Sequence, residues 1–149
     1  MNKKQLITTW AIGILLLSGC ATMLNPIPGP PIEYSKVYNS SYNNVWGKTL
    51  EYLNNSGELI TAFDKDFGLI SFQKSLSIKE WRKYAYTNPI LGYNYVKANV
   101  NIRISKINEE QTKFLVNCKI FCEDRTSATL ASKGILENKY LYDIGILLQ

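Results

Sequence analysis

The residues best equipped for chemistry are three cysteines, Cys20, Cys118 and Cys122, in a chain of 149 residues that contains no histidine. Lacking histidine, the chain lacks the commonest general base and the commonest metal ligand. Cys20 stands behind Leu17-Ser18-Gly19. Cys118 and Cys122 differ: both fall on the apolar side of an alternating run. Four residues of strand span roughly 13 Å, whereas a disulfide wants Cα atoms within about 7 Å. Two buried free thiols that pack as small hydrophobes are therefore expected, with a local disulfide through a bend near Glu123 as the competing reading. Two cysteines without histidine also fall short of a zinc ligand set. The acid pair Asp64 and Asp66 lies in a tight turn, where turn formation is the simpler task, and Glu109-Glu110 reads as a solvated loop. No glycine-rich phosphate loop is present, and nothing singles out a Ser/Lys dyad. The expectation is no catalytic residue, no cofactor and no metal, hence a non-enzymatic protein.

The context of Cys20 sharpens its chemistry. Lys3 and Lys4 form a positive start, and Trp10, Ala11, Ile12, Ile14, Leu15, Leu16 and Leu17 form a short apolar core around Gly13. That core is shorter than the roughly 20 apolar residues a membrane span needs, and it suits a cleaved signal peptide over residues 1–19. The ending Leu17-Ser18-Gly19-Cys20 resembles the lipobox of bacterial lipoproteins. The resemblance implies cleavage before Cys20, a diacylglyceryl group on its sulfur and a third acyl chain on its freed amine; two or three chains anchor a protein stably where one does not. An ordinary signal peptide with a chance cysteine is the plainer alternative. Ala21 follows, where an aspartate in such lipoproteins commonly marks inner-membrane retention. The expected location is therefore the periplasmic face of the outer membrane, ahead of the inner membrane or a Gram-positive cell membrane.

Residues 20–33 read as the lipidated cysteine and a tether. Pro26, Pro28, Pro30 and Pro31 exclude helix and central strand and favour an extended segment of up to about 40 Å at ~3.1 Å per residue; a Pro-rich ligand for a partner is the rival reading. Removing Lys3 and Lys4 with the signal peptide leaves 15 basic residues against 12 acidic ones. That excess is too small to argue for nucleic acid, though it permits mild attraction to anionic headgroups.

Those features have to be carried by a folded part, residues 34–149. Lys36-Val37-Tyr38 is a strand candidate, and Ser41 is a suitable N-cap. Val45, Trp46, Thr49, Leu50 and Leu53 recur at helical spacing up to Gly57, which predicts a helix over 42–55. Residues 59–63 and 69–75 form a hairpin around Asp64-Lys65-Asp66-Phe67-Gly68. From Tyr95 to Ile107, apolar Val96, Ala98, Val100, Ile102 and Ile104 alternate with polar neighbours, the period of a strand with one buried face. Phe114, Val116, Cys118, Ile120 and Cys122 continue the pattern after a turn at 108–111. A final helix over 132–148 carries Leu136, Tyr140, Leu141, Ile144, Leu147 and Leu148 on one stripe, with Glu137 where the helix dipole favours a carboxylate. The predicted fold class is α+β in the order β-α-β-β-β-β-α: an antiparallel sheet with two amphipathic helices on one face.

The run Val45-Trp46…Leu50…Gly57…Ile60…Asp64-Lys65-Asp66-Phe67-Gly68-Leu69-Ile70, closed by Ser132-Lys133-Gly134-Ile135-Leu136-Glu137, resembles the helix-grip domains of envelope lipoproteins, of which a lipoprotein component of the β-barrel assembly machinery is the best-known relative in style. The resemblance covers residues 35–148. That component carries two such domains and a long N-terminal segment, whereas this chain has room for one domain and a short linker.

Residues 79–95 are rich in aromatic and basic side chains: Trp81, Arg82, Tyr84, Tyr86, Tyr93 and Tyr95. Asn88-Pro89 and Gly92 mark a turn between two arms. With helices on the other face, the arms would put these tyrosines on the open side of the sheet, where tyrosines beside cations suit protein recognition or a headgroup layer, with Trp81 and Arg82 as further partner-binding candidates; cross-strand pairing that merely stabilises the hairpin is the plainer reading. The expected function is a binding or assembly module, attached to the membrane through Cys20 and engaging an envelope protein. The alternative is a lipid or apolar-ligand carrier or sensor with a cavity between helix and sheet.

Overall fold

The computed structural model describes residues 34–77, 79, 81–86, 95–123 and 128–149, with the side chain of Glu123 excepted. Cys20, the tether and Tyr93 lie outside the described residues. The elements are β1 (Tyr34–Tyr38), α1 (Tyr42–Asn55), β2 (Leu59–Asp64), β3 (Leu69–Leu76), α2 (Trp81–Tyr84), β4 (Tyr95–Lys106), β5 (Thr112–Glu123), β6 (Ala128–Ala131) and α3 (Ile135–Leu147). The fold is α+β, as expected, but the described residues form six strands and three helices rather than five and two. The unforeseen elements are β6 and the single turn α2.

Local sequence explains the ends of α1. Ser41 is extended and its hydroxyl accepts from the Asn44 N–H at the start of the helix. At the other end Gly57 adopts a φ of 66°, its N–H donates to Asn54 O, and the Glu58 N–H donates to Leu53 O. That pair of bonds is a Schellman stop, which a residue tolerant of positive φ makes cheap. In the β2–β3 turn, Asp64 Oδ1 accepts from the N–H groups of Asp66 and Phe67 at 3.0 and 3.1 Å. Gly68 follows at φ 65°, with its carbonyl accepting from Ile104 N–H at 2.8 Å. A Cβ there would lie 1.9 Å from Ile104 O, so the turn and its approach to β4 require glycine.

All strand pairings are antiparallel, in the order β1-β5-β4-β3-β2, with β6 also on β5. β1 pairs with residues 112–116 of β5 and β6 with residues 119–122, so two short strands share one edge. β2 forms the other edge and bulges at Thr61, between the pairs Ile60–Phe72 and Ala62–Ser71.

The helices cover one face of the sheet. Val96, Ala98, Val100, Ile102 and Ile104 of β4 and Phe114, Val116, Cys118, Ile120 and Cys122 of β5 are buried beneath them. Val45, Trp46 and Leu53 from α1, Leu136, Tyr140 and Ile144 from α3, and Trp81 from α2 complete the core. Phe72 and Tyr140 meet edge to face, with ring centroids 5.2 Å apart.

The final helix departs from expectation at both ends. It starts at Ile135, not Ser132; Ser132 instead bridges to Ala85 as an extension of the sheet. Leu147 is 39% exposed. α3 is also not simply amphipathic, because Ile135, Tyr142 and Ile146 are exposed on the side away from its buried stripe.

Candidate binding surface

The aromatic and basic residues predicted to form one exposed patch are dispersed. Trp81 is buried in the core, which corrects its place on an exposed recognition surface: an indole fills the space beneath α3 more profitably than it would face water. Arg82 is exposed, with its guanidinium 5.6 Å from the Trp81 ring. Tyr84 is half-buried against the core. Among the described residues, the arm holding Tyr84 and Tyr86 does not pair with the arm of Tyr95. The Tyr86 N–H donates to Ala131 O at 2.9 Å and the Lys133 N–H to Tyr84 O at 2.8 Å, so this arm extends the sheet beyond β6. Tyr95 pairs with Glu123 of β5 and is 70% exposed. Of the predicted group, Tyr95 alone is described on the helix-free face of the sheet.

That face is the surface with the most to offer a partner. It follows from the two-residue period of β4: each residue between the buried ones points away from the helices. Cross-strand register sets out its rows. Lys97 lies between Ser75 and Phe121, and Asn99 between Gln73 and Lys119. Asn101 lies between Ser71 and Asn117, and Arg103 between Leu69 and Leu115. Asn101, Arg103, Asn117 and Lys119 are exposed; Lys97, Asn99, Leu115 and Phe121 are half-buried. Ser71 Oγ donates to Asn101 Oδ1 at 2.7 Å, which orients that amide. The result is a flat surface of cations and amides interleaved with Phe121, Leu115 and Tyr95. Asp64, at the edge of this face, is already committed to its turn.

Other polar groupings have structural partners. Glu137 is buried, and its carboxylate accepts from Ser132 Oγ at 2.8 Å and from the main-chain N–H of Cys118. It thereby fills the gap between β1 and β6, where neither strand covers the outer edge of β5. Burial raises its pKa, and the hydrogen bonds from its own backbone, Ser132 and Cys118 offset part of that rise. Between α1 and α3, Tyr52 donates to Asp143 at 2.5 Å, while Lys139 donates to Tyr52 at 2.7 Å and pairs with Asp143. Burial opposes the charge on Lys139, but its bonds to Asp143 and Tyr52 outweigh it and hold its pKa above the ordinary value. Nearby, Glu58 accepts from Lys74 at 2.6 Å and from Tyr140 at 3.1 Å; burial and that carboxylate push the Tyr140 hydroxyl well up. These groups clamp α3 to α1 and to the sheet.

Cys118 and Cys122 are free and buried. Burial pushes the Cys122 thiol up to about 11 and the Cys118 thiol higher still. Since the thiolate is the nucleophile and the metal ligand, neither is poised for either role near neutral pH. Among the described residues, no group of three or more Cys, Asp or Glu side chains comes together as a metal would require.

Two open clefts indent one end of the sheet. One, of about 550 Å³, lies between Asn39–Ser41 and Asn108–Gln111; the other, of about 410 Å³, lies between Tyr42, Lys65–Phe67 and Ile104–Lys106. Neither is an apolar chamber beneath a helix. The chain matches no family model, and no curated protein is similar to it.

Sequence reasoning missed the paired role of Glu137 and the placement of the Tyr84–Tyr86 arm. The alternation in β4 and β5 already contained the open face, because the residues opposite Lys97, Asn99 and Arg103 follow once the turn at 108–111 is set.

Proposed function

We propose that the chain is a lipid-anchored envelope protein, acylated on Cys20 at the periplasmic face of the outer membrane, whose domain is a non-enzymatic binding module of helix-grip type. The partner is a protein with an acidic contact surface, engaged by the helix-free face of the sheet. The observation that carries this reading is the composition of that face: Lys97, Lys119 and Arg103 beside Tyr95, Phe121 and Leu115, with none of the described helices packed on them. Aromatic residues and arginine are enriched at protein interfaces, and like-signed cations on a flat surface steer acidic partners. The carrier alternative draws less support, because Trp46, Leu53, Phe72, Tyr140 and Ile144 fill the space a ligand would need.

Photocrosslinking in cells tests the binding face. A crosslinker at Asn101 should give a defined protein adduct that disappears in the Lys97→Glu, Arg103→Glu double variant. A crosslinker at Asn43 on α1 should not give it. Equal adducts from both positions, or an adduct indifferent to the charge reversals, would end the idea. Fatty-acid labelling tests the anchor separately: the label should enter the chain and be lost in Cys20→Ala, and a Cys20→Ala chain that is still acylated overturns the anchor.

A further inference from the structure

Surface helices of soluble domains carry charged and polar residues on the face away from the core. α3 does not. Leu136, Tyr140, Leu141 and Ile144 are buried, yet on the opposite side Ile135 is 47%, Tyr142 67% and Ile146 50% exposed. At 3.6 residues per turn these three fall within about 40° of one another, in a line roughly 16 Å long. Their flanks are basic. Lys139 lies on the same face, its ammonium held by Asp143 and Tyr52. Lys36 reaches alongside Gly145 of α3, with its ammonium 3.3 Å from where a Cβ would sit. Lys133 precedes the helix and donates to Arg82 O at 2.8 Å. Asp143, the acid on α3 beside the stripe, is neutralised by Lys139.

The path of the chain supplies the direction. The Tyr34 ring is packed on Gly134, so closely that a Cβ on Gly134 would meet the Tyr34 hydroxyl at 1.8 Å. Gly134 immediately precedes Ile135. Tyr34, the first described residue, is therefore seated beside the first residue of the exposed apolar line. α3 also packs on β1 and β5, on the side of the sheet opposite the basic face.

We infer that the outward face of α3 docks onto an anionic lipid headgroup layer, with Ile135, Tyr142 and Ile146 entering it and Lys36 and Lys133 meeting lipid phosphates. The inference rests on the lipid anchor proposed at Cys20, which would confine α3 close to a bilayer. Apolar and tyrosine side chains suit the boundary between headgroups and acyl chains, and lysines at its margin keep their ammonium groups in the polar layer. With α3 down, the sheet face carrying Lys97, Lys119 and Arg103 turns away from the membrane and stays open to a partner.

The test uses the full mature chain in vesicles of phosphatidylethanolamine, phosphatidylglycerol and a bromine-labelled phosphatidylcholine, whose bromines quench tryptophan at the membrane boundary. The unsubstituted chain, with Trp46 and Trp81 buried, sets the baseline. The emission added by Tyr142→Trp should be quenched, that added by Asn101→Trp should not, and quenching at position 142 should vanish when Ile135 and Ile146 are both changed to Glu. Those two positions are exposed, and an unchanged thermal midpoint confirms that the double variant is folded. Quenching at 142 no greater than baseline, or quenching at 101 instead, overturns the inference. So does a Cys20→Ala chain that sediments as a dimer and is made monomeric by Ile146→Glu, because the stripe would then belong to a second copy. Acyl labelling of the same preparations shows separately whether the anchor holds, so loss of docking with the acyl label retained indicts docking alone.

Discussion

The two faces of β4 have the same backbone and opposite fates. Val96, Ala98, Val100, Ile102 and Ile104 lie under two long helices and are almost completely shielded from water. Their neighbours Lys97, Asn99, Asn101 and Arg103 stand on a face that none of the described helices covers. Apolar burial contributes about 25 cal/mol per Å², so the first face holds the domain together. The second contributes little to folding and is correspondingly free to change, which suits a surface used for recognition.

Substitutions on either side test that division. The largest loss is expected for Trp81→Ala, about 3–5 kcal/mol by urea unfolding, since it empties a fully buried indole site. A loss below about 0.5 kcal/mol, the range of ordinary surface changes, would mean that α2 is not part of the core. One step along β4, Ile102→Ala should cost about 2–5 kcal/mol, whereas Arg103→Ala should stay within about 0.5 kcal/mol; similar losses for the two would erase the contrast between the faces.

Glu137 stands out on the buried side, a carboxylate where most of the described side chains are apolar. Glu137→Ala strands the Cys118 N–H and the Ser132 hydroxyl and should cost about 1–3 kcal/mol. Its titration has a definite sign. The folded pKa is raised above the ordinary value of 4.5, burial being the main cause. The folded state therefore holds this proton longer than the unfolded chain does. The stability linked to that proton is fully present below about 4.5 and is lost as pH rises through the folded pKa. Glu137→Gln should remove this component, leaving a shallower decline of stability with rising pH than in the parent. Parallel curves across the weakly acidic to neutral range would show that burial is not governing the group. The smallest effect on stability belongs to the open face: Lys97→Glu with Arg103→Glu should leave the thermal midpoint nearly unchanged while abolishing the Asn101 crosslink.

How much of this is legible in the sequence depends on whether the signal is local. α1 is legible to the residue because Ser41, the apolar stripe and Gly57 each act within a turn of the element they define. β4 and β5 are legible from strict alternation, and so is the burial of Cys118 and Cys122. β6 is not: Ala128-Thr129-Leu130-Ala131 is short and offers one large apolar residue, so only its pairing with Lys119–Cys122 makes it a strand. Ser132 has the composition of a helix start, and its hydroxyl does serve the start of α3 by accepting from Gly134 N–H and donating to Glu137. Its backbone, however, belongs to a bridge with Ala85 that no local rule foretells. The Tyr84–Tyr86 arm is hidden for the same reason. Proximity in sequence suggests Tyr93 and Tyr95 as its mates, and the hydrogen bonds go instead to residues 131 and 133. Ile135, Tyr142 and Ile146 escape the helical period because one apolar stripe already satisfies it, and only burial separates the stripe that is core from the stripe that is not.

The junction at Tyr34 has a mechanical meaning. β1 is five residues long, antiparallel to β5, and its first pair is Tyr34 with Val116. A pull on the chain ahead of Tyr34, directed away from β5, loads that pair before any other and opens the strand one rung at a time, in the manner of a zip rather than a sliding bolt. The Tyr34 ring seated on Gly134 and the Tyr38 hydroxyl bonded to Leu141 O at 2.5 Å are the stops along that zip. If the domain is moored through Cys20 as proposed, strain reaches this five-rung seam first, and β1 can peel and re-seat while the four strands β2 to β5 stay joined.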